Sequence, residues 1–159
     1  MKRIILLGVL LVSLCMAVSS CKKDVYRSLD STVWTTEFNE SEGTGSDYFH
    51  ESGQFQLEFQ KATFSMSGKF DWTRAQYSRD PNHANGTVDI SEHGVYVLDS
   101  PTVMLTFTDS GIIVYGRIVD KSVEDQYTHK TSVKQTIVFD RNPVRSSRYA
   151  PKEYYLRNY

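Results

Sequence analysis

The sequence predicts an all-β fold, in the form of an eight-stranded antiparallel up-and-down barrel. Three observations support this fold: apolar and polar side chains alternate along several segments, helical periodicity is absent, and short turn-forming connections join the segments. Short connections make neighbouring strands antiparallel, and a long series of strands protects its edges best by closing on itself. A β-sandwich is the alternative, because alternation alone does not distinguish one closed sheet from two stacked sheets.

The first twenty residues are typical of a secretory signal peptide. Lys2 and Arg3 precede an apolar run, and small residues follow it. The apolar run is too short to span a bilayer as a helix, which takes about 20 apolar residues. We therefore divide the chain into a signal peptide (1–20), a tether (21–31), a barrel domain (32–142) and a C-terminal tail (143–159).

The end of the signal segment carries a second motif. Val18-Ser19-Ser20-Cys21 resembles the lipobox of bacterial lipoproteins, in which the cysteine becomes the lipidated first residue of the mature chain. Removal of the signal peptide would leave Cys21 as the single cysteine, so no internal disulfide could form. The resemblance implies that Cys21 anchors the protein in the cell envelope. We expect the outer membrane, with either the periplasmic or the surface face as the site of exposure.

The predicted strands begin with a short segment that contains Val33 and Trp34. The next two form a β-hairpin, because strict alternation of apolar and polar residues stops only at Lys61 and Ala62. A second hairpin turns at Gly111, and His93-Gly94 is predicted to separate two further strands. In chain order, the eight predicted strands span residues 32–38, 55–60, 63–72, 87–91, 95–98, 102–108, 112–119 and 131–140.

Three segments lie outside this strand pattern. Residues 39–53 and 73–86 are predicted to be long connections, which tend to be functional or mobile. The tail, 143–159, shows no strand or helix period, yet it contains four tyrosines and three arginines. We expect the tail either to contact a partner or to pack along the barrel.

Several segments resemble lipocalin-like small lipoproteins of the Bacteroides group. The resemblance covers about residues 32–140 and rests on five short motifs. They are Val33-Trp34, Phe55-Gln-Leu-Glu-Phe59, Gly86-Thr-Val-Asp-Ile90, Val103-Met-Leu-Thr-Phe-Thr-Asp-Ser-Gly111 and Gln135-Thr-Ile-Val-Phe139. The resemblance implies a lipocalin-like (calycin) barrel.

The composition argues against several classes of function. With 18 basic and 19 acidic residues, the chain has a formal charge of −1 and no electrostatic basis for nucleic-acid binding. The four histidines lack the spacing of a metal site, no Gly-x-Ser-x-Gly turn is present, and no glycine-rich phosphate loop precedes a helix. We therefore predict a protein that is not an enzyme and that needs no metal or cofactor.

Two functional hypotheses follow from the sequence. In the first, a small apolar ligand binds at the barrel mouth, where Trp34 and Tyr115 form apolar walls and a long loop brings Tyr77 and Arg79. The competing interpretation of Trp34 is a plug that closes one end of the barrel. In the second hypothesis, the loops and the tail form a protein-interaction or inhibitor-like module, since Tyr and Arg are enriched at interface hot spots.

Overall fold

A computed structural model describes residues 28–44, 47–74, 84–124 and 128–157. These residues form eight strands and no helix long and apolar enough to cross a membrane. The strands are β1 (Thr32–Glu42), β2 (Phe49–Gln60), β3 (Thr63–Arg74), β4 (Ala84–Asp99), β5 (Thr102–Phe107), β6 (Ile113–Glu124), β7 (Thr131–Phe139) and β8 (Glu153–Leu156).

The strands form a closed ring in which each strand pairs antiparallel with the next one in the chain. The last strand closes the ring, because β8 pairs with β7 on one side and with β1 on the other. The predicted all-β class, antiparallel pairing and up-and-down strand order are confirmed.

Alternation along each strand directs one set of side chains into the ring. On β2, for example, Phe55, Leu57 and Phe59 are all buried, Gln56 and Glu58 between them are half-buried, and the flanking Gln54 and Gln60 are exposed. Ring contacts join the buried aromatic side chains: Phe38 stacks on Phe55, and edge-on pairs are Phe59 with Tyr96, Phe64 with Phe107, and Phe139 with Tyr154. Aromatic side chains therefore occupy much of the interior.

The ring has two different ends. At one, called here the loop end, β1 is connected to β2, β3 to β4, β5 to β6 and β7 to β8. At the other, called here the turn end, lie the short turns at 61–62 and 100–101, the β6–β7 connection and residues 28–31. The tail loop, residues 140–152, belongs to the loop end.

The predicted break at His93-Gly94 is wrong, because a single strand, β4, runs through both residues. Gly94 is needed at this position for close packing. A Cβ there would lie 2.0 Å from the carbonyl oxygen of Thr106 and 2.7 Å from the ring of Phe64. The glycine that was expected to form a turn instead makes room for an aromatic ring inside the sheet.

The prediction that the tail contains no strand is also wrong. Glu153–Leu156 forms β8, so the tail supplies the eighth strand after 87–91 and 95–98 merge into one. Through β8 the tail packs along the sheet, between β7 and β1. Both predicted hairpins are present, with Lys61 and Gly111 in the left-handed backbone conformation at their turns.

Several strands are longer than predicted. Residues 39–42 and 49–53, expected in a connection, belong to β1 and β2, and β6 continues to Glu124. Polar side chains on these extensions hide their strand character, since both faces there carry Glu, Ser or His. The extensions lie at the two ends of the ring.

An ion pair attaches the short closing strand to the sheet. The ammonium of Lys121 on β6 donates to Glu153 on β8 at 2.6 Å, and the hydroxyl of Tyr155 donates to the same carboxylate at 2.9 Å. The bond from Lys121, followed by that from Tyr155, lowers the pKa of Glu153 against the opposing effect of burial. The carboxylate thus stabilises the fold while it is ionised.

We predict that Glu153→Gln lowers the melting temperature at about pH 7 and has no effect under strongly acidic conditions. A carboxyl whose pKa is lowered by folding contributes stability above its unfolded pKa, and that contribution is lost as the pH falls through the folded value. Because both side chains are about one-third exposed or more, the expected loss is below about 1 kcal/mol. Thermal melts of both proteins across pH test this, with Glu37→Gln as the exposed control. A difference that persists below the carboxyl range would contradict the assignment.

Candidate functional site

The tail loop covers the loop end of the ring. Val144, Ser147 and Ala150 in this loop are buried. The side chain of Asn142 organises the loop internally: its amide donates to the carbonyl of Ser147 at 3.1 Å, and its carbonyl accepts from the backbone N–H of Val144 at 2.8 Å. The loop is therefore an ordered cover over the interior.

A buried carboxylate, Glu51 on β2, binds this loop to the ring. One oxygen of Glu51 accepts three hydrogen bonds, from the Ser147 hydroxyl at 2.8 Å and from the backbone N–H groups of Arg148 and Tyr149 at 3.0 and 3.1 Å. The Ser147 hydroxyl in turn accepts from the N–H of Ala150 at 2.9 Å. Glu51 is only 3% exposed, so these donors replace the water that the carboxylate would otherwise bind.

Beside Glu51, towards the loop end, lies a cluster of aromatic and charged side chains, called here the loop-end cluster: Glu42, Phe49, Arg148 and Tyr149. Tyr48 and His50, which flank Phe49 in the chain, stack on each other. The guanidinium of Arg148 lies 3.2 Å from the carboxylate of Glu42 and 5.8 and 5.5 Å from the ring centres of Phe49 and Tyr149. The Tyr149 hydroxyl donates to Glu42, which raises the pKa of Tyr149 and keeps it protonated. The cluster is polar at its rim, and Arg148 is well exposed.

Trp34 does not lie at the loop end. It is 1% exposed and pairs with Leu57 and Leu156, next to the turn end, where its indole N–H donates to the Thr32 hydroxyl at 2.9 Å. Leu29, also buried, precedes it in the same core. This placement matches the interpretation of Trp34 as a plug.

The structure does not bring Trp34 together with Tyr115. Tyr115 projects from the outer face of β6 and is 48% exposed, whereas Trp34 projects into the ring. Tyr77 and Arg79, the other predicted ligand-binding residues, and Cys21 lie outside the described residues. β3, the strand that precedes residues 75–83, ends at Arg74. Arg74 and Glu42 both pair with Phe49, so they lie at the same height in the ring. Trp34 lies eight residues before Glu42 on β1, which is roughly 26 Å from it at the usual rise per residue of a strand.

The outer face of the ring carries a groove of about 660 Å³ across β7, β8, β1, β2 and β3. Most of its lining residues are polar or charged, among them Gln54, Lys69, Lys134 and Tyr155. Burial, followed by the bond to Glu153, raises the pKa of Tyr155 to about 12, so its phenol stays neutral. This groove differs from the predicted ligand site both in location and in polarity. Within the described part of the chain, no three His, Cys, Asp or Glu side chains come together as metal ligands.

Sequence reasoning missed Glu51 and most of the loop-end cluster. A signal for Glu51 is present in the alternation, since it occupies the inward-facing series of β2 that continues with Gly53, Phe55 and Leu57. A carboxylate in such a series indicates a buried acceptor that needs donors from elsewhere in the chain. For Arg148 and Tyr149 the signal was the Tyr and Arg content of the tail.

Comparisons of the whole chain with protein-family models, with curated proteins and with solved structures find no match.

We predict that Glu51→Ala destabilises the protein by about 1–3 kcal/mol, because one buried and two part-buried donors lose their acceptor. Hydrogen exchange at the Arg148 and Tyr149 amides should accelerate more than exchange in the middle of β3. Glu40→Ala is the matched control, since Glu40 is the exposed β1 residue paired with Glu51. Equal losses of stability in the two variants would show that Glu51 does not hold the loop.

Proposed function

We propose that this protein is a lipid-anchored lipoprotein of the cell envelope, built on a lipocalin-like barrel, that binds a macromolecular partner through the loop-end cluster. One observation carries the proposal: the tail loop is bound to Glu51 across the end of the ring and presents Arg148 and Tyr149 at its rim. Tyr and Arg are the residues most enriched among interface hot spots, together with Trp.

The lipocalin-like assignment is supported by strand number and order. Eight antiparallel strands in sequential order, closed on themselves, fit an up-and-down barrel. The motifs in β2, β4, β5 and β7 that resemble lipocalin-like lipoproteins all lie in this ring.

A macromolecular partner fits the geometry better than a small apolar ligand inside the barrel. Phe55, Phe70 and Tyr154 are among the side chains that occupy the interior, and Trp34 and the tail loop lie towards its two ends. A ligand that entered at the loop end would have to displace the tail loop and leave Glu51 without its donors. We therefore propose surface binding, and binding without catalysis.

The proposed anchor and the proposed binding surface lie at opposite ends. The described chain begins at Ser28, next to β1 and therefore at the turn end, whereas the cluster is at the loop end. A tether from Cys21 to this point would place the turn end nearest the membrane. The loop-end cluster would then face away from the bilayer, where a partner can reach it.

We predict that Cys21→Ser moves the protein from the membrane fraction to the soluble fraction, because the acyl chains would be lost. Fractionation of cells that express either form, with mass spectrometry of the mature N-terminus, tests this. Unchanged membrane partitioning together with an unmodified N-terminus in the unaltered protein would contradict the lipoprotein assignment.

We predict that a photo-crosslinking amino acid at position 48 forms a discrete adduct with an envelope macromolecule in intact cells. Tyr48 is exposed and immediately precedes Phe49 of the loop-end cluster. The same probe at position 133, which is 72% exposed near the turn end, should give no such adduct. Arg148→Gln keeps the backbone bond to Glu51 and should abolish the adduct without changing the melting temperature by more than about 2 °C.

Two results would contradict the interaction hypothesis. One is an adduct pattern at position 48 that Arg148→Gln leaves unchanged. The other is a stoichiometric apolar molecule that stays bound when the gently purified protein is examined by native mass spectrometry. The second result would instead favour the ligand-binding hypothesis, with the tail loop as a cover that opens.

A further inference from the structure

The outer face of β4, β5 and β6 carries apolar side chains that the fold leaves uncovered. We call this surface the β4–β6 face and define it by Val95, Val97, Asp99, Thr102, Met104, Thr106, Ile113, Tyr115 and Arg117. The four large apolar side chains on its flanking strands are 40–54% exposed. Contiguous exposed apolar surface of this kind commonly marks an interaction site.

The strand register arranges these residues in three rows across the sheet. Val95, Thr106 and Ile113 form the first row, and Val97, Met104 and Tyr115 form the second. The third row is Asp99, Thr102 and Arg117, with the two charges on opposite sides of β5. The face is thus apolar in two rows and carries one acidic and one basic edge in the third.

The two charges of the third row are available to a partner. Asp99 and Arg117 are both exposed, and neither forms an ion pair with any residue in the described part of the chain. They lie two strands apart, on opposite sides of β5, and do not pair with each other in the structure. Each charge therefore lacks a counter-charge within its own molecule. A second molecule that presents the opposite charge could supply one.

A second copy of the same face supplies that counter-charge. When two such faces meet across a two-fold axis that runs along β5, β4 of one copy lies on β6 of the other. Asp99 then faces Arg117 of the partner copy, and the same pair forms a second time by symmetry. In the apolar rows, Val97 meets Tyr115 of the partner copy, and Met104 meets Met104 of the partner copy.

The charges also favour this axis over a two-fold axis that lies in the same plane but runs perpendicular to β5. A two-fold axis perpendicular to β5 through the middle row would place β4 on β4. Asp99 would then face Val95 of the partner copy, which desolvates a carboxylate against an apolar side chain. Only the axis along β5 matches apolar rows with apolar rows and acid with base.

We propose that this protein forms a homodimer in which the β4–β6 faces of two copies pack together across a two-fold axis along β5. The strands of the two faces are then nearly aligned, as in sheet-on-sheet packing. Both loop ends point in the same direction, and so do both turn ends. Two copies anchored at their turn ends, as in the proposed function, are therefore compatible with attachment to one membrane.

Sedimentation equilibrium over a range of concentrations tests the dimer. The protein is residues 21–159 with Cys21→Ser, which retains every described residue and excludes a disulfide between copies. We expect a reversible monomer–dimer equilibrium. Asp99→Arg or Arg117→Asp alone should weaken association by about tenfold or more, because each creates two like-charge contacts. The double variant, which exchanges the charges, should restore association.

Two further variants make the result specific. Asp89→Arg is the matched control, because Asp89 is an exposed outward-facing carboxylate on the same strand but outside the face; it should leave association unchanged. Tyr115→Ser should weaken association with no change in charge. A monomer at all concentrations up to about 1 mM overturns the proposal, a limit at which the association free energy is about 4 kcal/mol. A dimer insensitive to both single reversals, or not restored by the double variant, overturns it as well.

Discussion

A single buried carboxylate fixes the position of the segment that closes the ring. Glu51 collects three donors from the tail loop, and that loop leads directly into β8. β8 is only four residues long, so few ladder hydrogen bonds hold it between β7 and β1. The anchored loop reduces the conformational freedom that this short strand would otherwise have to lose on pairing. Closure of the sheet, and with it burial of the interior, depends on this contact.

The ring separates its interior from its surface so that each has a different role. Aromatic side chains occupy the interior and supply the burial that stabilises a domain of this size. The surface carries the features that remain available for binding: the loop-end cluster at one end and the β4–β6 face on one side. These features do not overlap, because Arg148 lies in the tail loop at the loop end, whereas Tyr115 projects from the outer face of β6. A partner at the loop end and a second copy at the side are therefore compatible.

Strand alternation is a local property, and for that reason the sequence was sufficient for the hairpins around Lys61 and Gly111. It was not sufficient at Gly94, where the reason for the glycine is the ring of Phe64 on another strand. β8 is too short to show a period. The candidate site was the least predictable part, since Glu51 meets Ser147 from 96 residues away. Only the tyrosine and arginine content of the tail indicated that this segment had a specific role.

β8 is the last strand of the ring in chain order, and this position has a consequence for folding. Until residues 153–156 are paired, β1 and β7 each have an edge with unpaired backbone groups, and such edges template pairing between chains. A chain without a paired β8 would therefore carry two unpaired strand edges, on β1 and on β7, in an otherwise nearly complete sheet. Loss of residues 153–156 would therefore give a product prone to aggregation.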